Sequence, residues 1–162
     1  MRFLKNVSLA ALVGLGLAAC DSSTGNNNAR VSLRLTDAPG DLAAAEVQIE
    51  QIYMQGSSDD GSGRVVLYDG GEVFDLLTLT DGVTELLAEG VVVPAGNYSE
   101  LRIVVGDASI TTEDGATYST EDGTLTCPSC AQSGLKIKLP GGSVRLEGDS
   151  NILLVDFDVA QS

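Results

Sequence analysis

A chain of 162 residues with 23 Asp and Glu against 9 Lys and Arg has a net charge of −14, the wrong sign for a nucleic-acid partner. It contains no His, so the commonest general base and metal ligand is missing and a Ser-His-Asp triad is impossible. Without Trp, and with Tyr53, Tyr68, Tyr98 and Tyr118 scattered, it offers no clear aromatic platform for sugars.

The N-terminus reads as an export signal. Arg2 and Lys5 form a basic start, and Val7 to Leu17 is an apolar run too short to span a bilayer. Leu17-Ala18-Ala19-Cys20 then resembles the bacterial lipobox, in which a small pair precedes a cysteine that becomes the lipidated first residue. The alternative is an ordinary cleaved signal with an incidental cysteine. Residues 1–19 are therefore expected to form a lipoprotein signal peptide with a signal helix. Residues 20–29 form the lipidated Cys20 and a flexible, disordered tether, DSSTGNNNA, too polar to bury surface. At about 0.8 kcal/mol per buried CH₂, more than one acyl chain at Cys20 anchors a protein stably. Asp21 resembles an inner-membrane retention signal, but the choice of membrane stays open. Loss of Arg2 and Lys5 leaves 23 acidic residues against seven basic ones, a net charge of −16. That charge disfavours anionic headgroups and suits divalent cations.

Residues 30–162 are enough for one domain with a single core. Val31, Leu33 and Leu35 alternate with polar residues, which marks a strand with one buried face. Asp37-Ala38-Pro39-Gly40-Asp41 forces a reversal, with a helical turn expected over Asp41 to Ala45. Alternation resumes at Val47 and Ile49, but Ile52 and Met54 switch parity, so a β-bulge is expected near Glu50-Gln51. A mobile loop at Gly56 to Gly63 leads to a strand over Arg64 to Tyr68. Val73 to Leu79 is ambiguous between a strand and a helical turn. Val83 to Leu87 is a further strand, and Val91 to Val93 runs into the turn Pro94-Ala95-Gly96-Asn97-Tyr98. Leu101, Ile103 and Val105 share one face of the clearest strand, opposite Glu100 and Arg102. Asp114-Gly115 is a two-residue hairpin signal. Strand-like runs follow at Thr124 to Cys127, Leu135 to Leu139, Val144 to Leu146 and Asn151 to Val159. With no helix of crossover length between strands, a parallel sheet is not expected.

Leu35-Thr36-Asp37-Ala38-Pro39, Pro94 to Ile103 (PAGNYSELRI), Gln132 to Ile137 (QSGLKI) and Asp156-Phe157-Asp158 together resemble one family. They are similar to the bacterial and archaeal lipoproteins grouped as domain-of-unknown-function family 4382, from about Arg30 to the end. The resemblance implies a secreted, lipid-anchored β domain and supplies no catalytic residues. Family members usually continue past the DFD strand into another apolar strand, so either this sequence is a fragment or the sheet lacks its last strand. The PAGNY turn also resembles the PxGxY turns of transthyretin-like and carboxypeptidase-regulatory-like sandwiches, where Tyr packs over the sheet.

Cys127-Pro128-Ser129-Cys130 is the sharpest local motif. In an oxidising compartment it reads first as a structural disulfide pinning a loop. A thiol–disulfide redox site is the alternative, but that needs the first Cys at a helix N-terminus, and β-like runs flank this pair. A zinc knuckle lacks a second ligand pair. Asp37, Asp41, Asp156 and Asp158 are weak candidates for Ca²⁺, which takes six to eight oxygens, and they raise a Ca²⁺-dependent adhesion module as a further alternative. The simpler expectation is that Lys136 and Lys138 pair with Asp156 and Asp158 across strands. GSSDDGSG lacks the Lys and following helix of a phosphate loop.

The expected architecture is thus all-β, a mostly antiparallel β-sandwich of prealbumin-like or immunoglobulin-like kind. The expected role is a lipid-anchored, extracytoplasmic binding or structural module of the cell envelope. No catalytic residues, metal or other cofactor are expected. Its partners are the membrane, through Cys20, and an unidentified envelope protein or ligand, with no nucleic acid.

Overall fold

Alternation carries the first strand as expected. In β1 (Asn28–Asp37), Val31, Leu33 and Leu35 are buried while Arg30 is exposed. The structure, a computed structural model, describes residues 27–37, 41–56 and 63–157. Cys20, the signal and most of the tether, the Ala38-Pro39-Gly40 turn, the loop 57–62 and Asp158 lie outside the described residues.

β2 (Leu42–Gly56) belongs to the second sheet. β3 (Arg64–Asp75), β4 (Glu85–Pro94) and β5 (Gly96–Thr112) follow, then the short β6 (Thr117–Ser119), β7 (Leu135–Lys138) and β8 (Val144–Leu146), and finally β9 (Gly148–Phe157). One sheet has the order β4-β1-β9; the other runs β3-β2-β5, with β6, β7 and β8 all pairing β5. Leu33 and Leu35 from the first sheet and Ile49, Ile52, Met54 and Ile103 from the second are fully buried in one shared core. Each such side chain contributes about 1.5–3 kcal/mol of burial, which commits both inner faces to one another. The all-β sandwich expected from the sequence is the fold observed.

Pairing is antiparallel throughout except between β1 and β9, which run parallel from Ala29↔Gly148 to Asp37↔Phe157. The two strands come from opposite ends of the chain, so no crossover helix is needed to join them.

β5 is the spine of the second sheet. On one edge it pairs along β2 from Tyr98 to Thr112. Its other edge is met piecemeal by residues 117–146, running antiparallel to it. β6 covers Ser109 to Thr111, β7 covers Glu100 to Ile103, and β8 covers Gly96 to Tyr98. Between these, Thr120 N donates to Ala108 O at 2.9 Å, Val105 N to Cys130 O at 3.1 Å and Leu139 N to Ser99 O at 3.3 Å. The chain makes a loop wherever it leaves β5.

The expected β-bulge is present: the register of β2 shifts between Ile49 and Gln51 against both neighbours. The ambiguous run resolves into both readings, with β3 ending at Asp75 and a 3-10 turn over Leu76–Leu79. Asp75 caps that turn by accepting from Leu77 N at 3.1 Å.

Other expectations need correction. Residues 42–45 are strand, not a helical turn, because pairing with β5 at Leu42↔Thr112 and Ala45↔Ile110 outweighs the helix preference of Ala. Residues 124–127 are bend and irregular rather than strand, since here the chain has left β5. The Asp114-Gly115 hairpin is longer than two residues: Thr112 N bonds Ala116 O at 2.9 Å, and Gly115 takes φ +89°. β4 is one strand across the two runs read from the sequence, kinked where Gly90 takes φ +60° and the register slips. The domain also starts earlier than position 30. Asn28 and Ala29, assigned to the tether, belong to β1, and Ala29 is fully buried.

Candidate functional site

The CPSC turn hangs on the middle of β5. Cys127 and Cys130 stand at disulfide distance, with Cα atoms 5.4 Å apart. Cys130 N donates to Cys127 O at 3.2 Å, and Ser129 O accepts from Ser133 N at 3.1 Å and Gly134 N at 2.9 Å. These bonds curl residues 127–134 into a knot of turns rather than a helix, so the dipole a reactive thiol needs is not built here. Cys130 is buried in the core and Cys127 is half-buried. The pair, Pro128 and Gly106 line an open groove of about 480 Å³. Gly134 is what lets the turn close: with φ +73° it lies so near β5 that a Cβ would come within 2.7 Å of Ile103 O.

Beside this turn lies a charged network that sequence reading did not find. Glu100 accepts from Arg102 Nε and pairs with Lys136 Nζ at 2.6 Å. The Lys136 hydrogen bond, followed by that of Arg102, holds the Glu100 carboxyl below the usual carboxylate range. Glu100 in turn raises Arg102 further above its ordinary value. Arg102 Nη1 donates to Ser133 O at 2.9 Å, and Tyr53 OH to the same carbonyl at 3.4 Å. Arg64 lies 3.8 Å above the Tyr53 ring and also bonds Gln51 Oε1. Four strands and the cysteine turn are thereby tied across one outer face. The sequence signals for it are the Lys136–Lys138 spacing and the shared face of Glu100 and Arg102.

That network overturns the expected pairing of Lys136 and Lys138 with Asp156. Lys136 sits opposite Arg102 and Lys138 opposite Glu100 on β5, whereas Asp156 is on β9 in the other sheet. Asp156 and Asp37 do come to the same end of the sandwich, through Thr36↔Asp156 and Asp37↔Phe157, with Asp37 buried and Asp156 exposed. Asp41 is exposed at the start of the return strand, and Asp158 lies outside the described residues. Among the described residues no three His, Cys, Asp or Glu converge as a set able to hold a metal ion.

The Leu35-Thr36-Asp37 stretch acts on the fold. Thr36 Oγ1 lies 2.9 Å from both Leu79 O and Val83 O, so its one proton serves either carbonyl and pins the 3-10 turn over the end of the core. Tyr98 is fully buried, and its hydroxyl donates to Pro94 O at 2.8 Å. Burial raises its pKa above the ordinary phenol value.

A family model described as Domain of unknown function (DUF4382) matches residues 28–162. Neither a curated protein nor a solved structure matches the chain.

Proposed function

The chain belongs to the family described as Domain of unknown function (DUF4382), and on that premise we propose that it is a lipid-anchored binding or structural module of the cell envelope. The observation that carries the anchor is the run Leu17-Ala18-Ala19-Cys20, which ends eight residues before β1 begins at Asn28. A polar leash that short suits a domain held at a membrane surface. A structural role is supported by how the polar side chains are used. Thr36, Tyr98, Glu100, Arg102 and Lys136 each tie one strand or turn to another. The cysteine pair closes a turn that covers the edge of β5.

Labelled palmitate fed to cells expressing the full chain tests the anchor. Label should enter the wild type and not Cys20→Ser, and the wild type should float with membranes. Unlabelled wild type in the soluble fraction refutes the reading.

A further inference from the structure

The outer face of the three-stranded sheet sets exposed aliphatic side chains beside two arginines. Register places Arg30, Ser32 and Arg34 of β1 on that face, flanked by Val92 and Leu86 of β4 and by Ile152 and Leu154 of β9. The four aliphatic side chains are 53, 39, 67 and 58 % exposed, in that order. Two arginines among exposed aliphatics suit the boundary between headgroups and acyl chains, where apolar groups bury and guanidiniums reach phosphate. Arg30 lies 3.7 Å from Asp149 and bonds Gly90 O, Arg34 bonds Thr84 Oγ1 at 2.9 Å, and the other carboxylates of this sheet's edge strands are the exposed Glu85 and Glu89 of β4 and Asp156 at the far end of β9.

We propose that this face lies against the phospholipid headgroup layer, docking the domain on its side. The inference rests on the anchor proposed above and adds the surface that meets the membrane. What singles out lipid as the occupant is the leash. Cys20 is eight residues from Asn28, the first residue of the strand that carries Arg30 and Arg34. Fully stretched, eight residues reach about 28 Å; as a flexible coil their typical span is roughly 16 Å. β1 is itself ten residues long, about 30 Å at strand rise. The leash therefore keeps the sheet that β1 begins within reach of the bilayer at high effective concentration, and the exposed aliphatic side chains decide which face is buried there.

The full chain, purified from membranes with its anchor and reconstituted into phosphatidylcholine–phosphatidylethanolamine vesicles, is compared with Cys20→Ser free in solution by hydrogen–deuterium exchange. Peptides covering 148–157 and 85–94 should exchange at least about fivefold more slowly on vesicles. Peptide 64–75, from an edge of the opposite sheet, should not change. The double variant Ile152→Ser/Leu154→Ser, altered only at exposed positions, should stay on the vesicles and lose the protection. Equal exchange in both samples, or protection confined to 64–75, overturns the docking while leaving the anchor intact. Protection that grows with protein concentration and appears in Cys20→Ser assigns the face to a second copy and also overturns it. Absence of acyl mass at Cys20 overturns the anchor alone. The face is then read on the same chain coupled through Cys20 to a maleimide lipid, where unprotected 148–157 refutes the docking.

Discussion

Replacing Gly134 by Ala tests how the cysteine turn is seated on β5. Two costs arise at this position. An L-residue at φ +73° costs roughly 1–2 kcal/mol, because its Cβ crowds its own backbone. The added Cβ also meets Ile103 O at 2.7 Å and Ile103 C at 2.9 Å, and both are held in the β5–β7 ladder where Ile103 pairs with Leu135. Backbone fixed in a ladder yields little, so about 1–3 kcal/mol of overpacking is added. The total, about 3 kcal/mol, is a large part of the roughly 5–15 kcal/mol a domain has. Gly141→Ala is the control: φ is +70°, with nothing within 4 Å of the new atom, so it bears the first cost only. Urea unfolding of both variants, with the disulfide intact, measures the difference as a shift in midpoint at unchanged slope. Gly134→Ala no less stable than Gly141→Ala would show that the turn is not packed against β5 as described.

The remaining predictions concern the same outer face and its corner. Joining Cys127 to Cys130 closes a very short loop, so the double Ser variant should lose only about 2 kcal/mol by chain entropy; wild type unfolding identically with and without reductant would contradict this. Because the Glu100 pKa is lowered on folding, its contribution is complete above the ordinary carboxylate range and disappears as pH falls through the lowered value. The stability advantage of wild type over Glu100→Gln should therefore shrink in acid, and an advantage constant to pH 2 speaks against the network. Tyr98→Phe should cost about 1 kcal/mol for the lost bond to Pro94 O, and Tyr98→Ala about 3–5 kcal/mol for the cavity. Thermal unfolding ranks the two, and equal losses would mean that the ring is not in the core.

What could be read from the sequence was local. Period-two alternation located β1 and β5, and a parity switch at Ile52 and Met54 located the bulge. Partners far apart in sequence were not legible. Nothing in residues 151–157 says that they lie beside 31–37 in parallel. Lys136 carries the right charge, but only the β5–β7 register reveals that Glu100 and not Asp156 receives it. Composition misled twice. Leu42-Ala43-Ala44-Ala45 favours helix until β5 claims its backbone. Asn26-Asn27-Asn28-Ala29 looks like leash, although its last residue has no surface left. The candidate site suffered most, because it depends on residues 53, 64, 100, 102, 133 and 136 meeting across strands.

The parallel placing of β1 and β9 has a mechanical corollary. The chain enters β1 at one end of the sandwich and leaves β9 at the other, so a pull applied to its two ends runs along both strands in opposite senses. The rungs between them, from Ala29↔Gly148 to Asp37↔Phe157, are then strained together in shear instead of being unzipped one after another. A body fastened at its leading end and tugged from its trailing end would resist such traction with its longest ladder in that sheet loaded broadside.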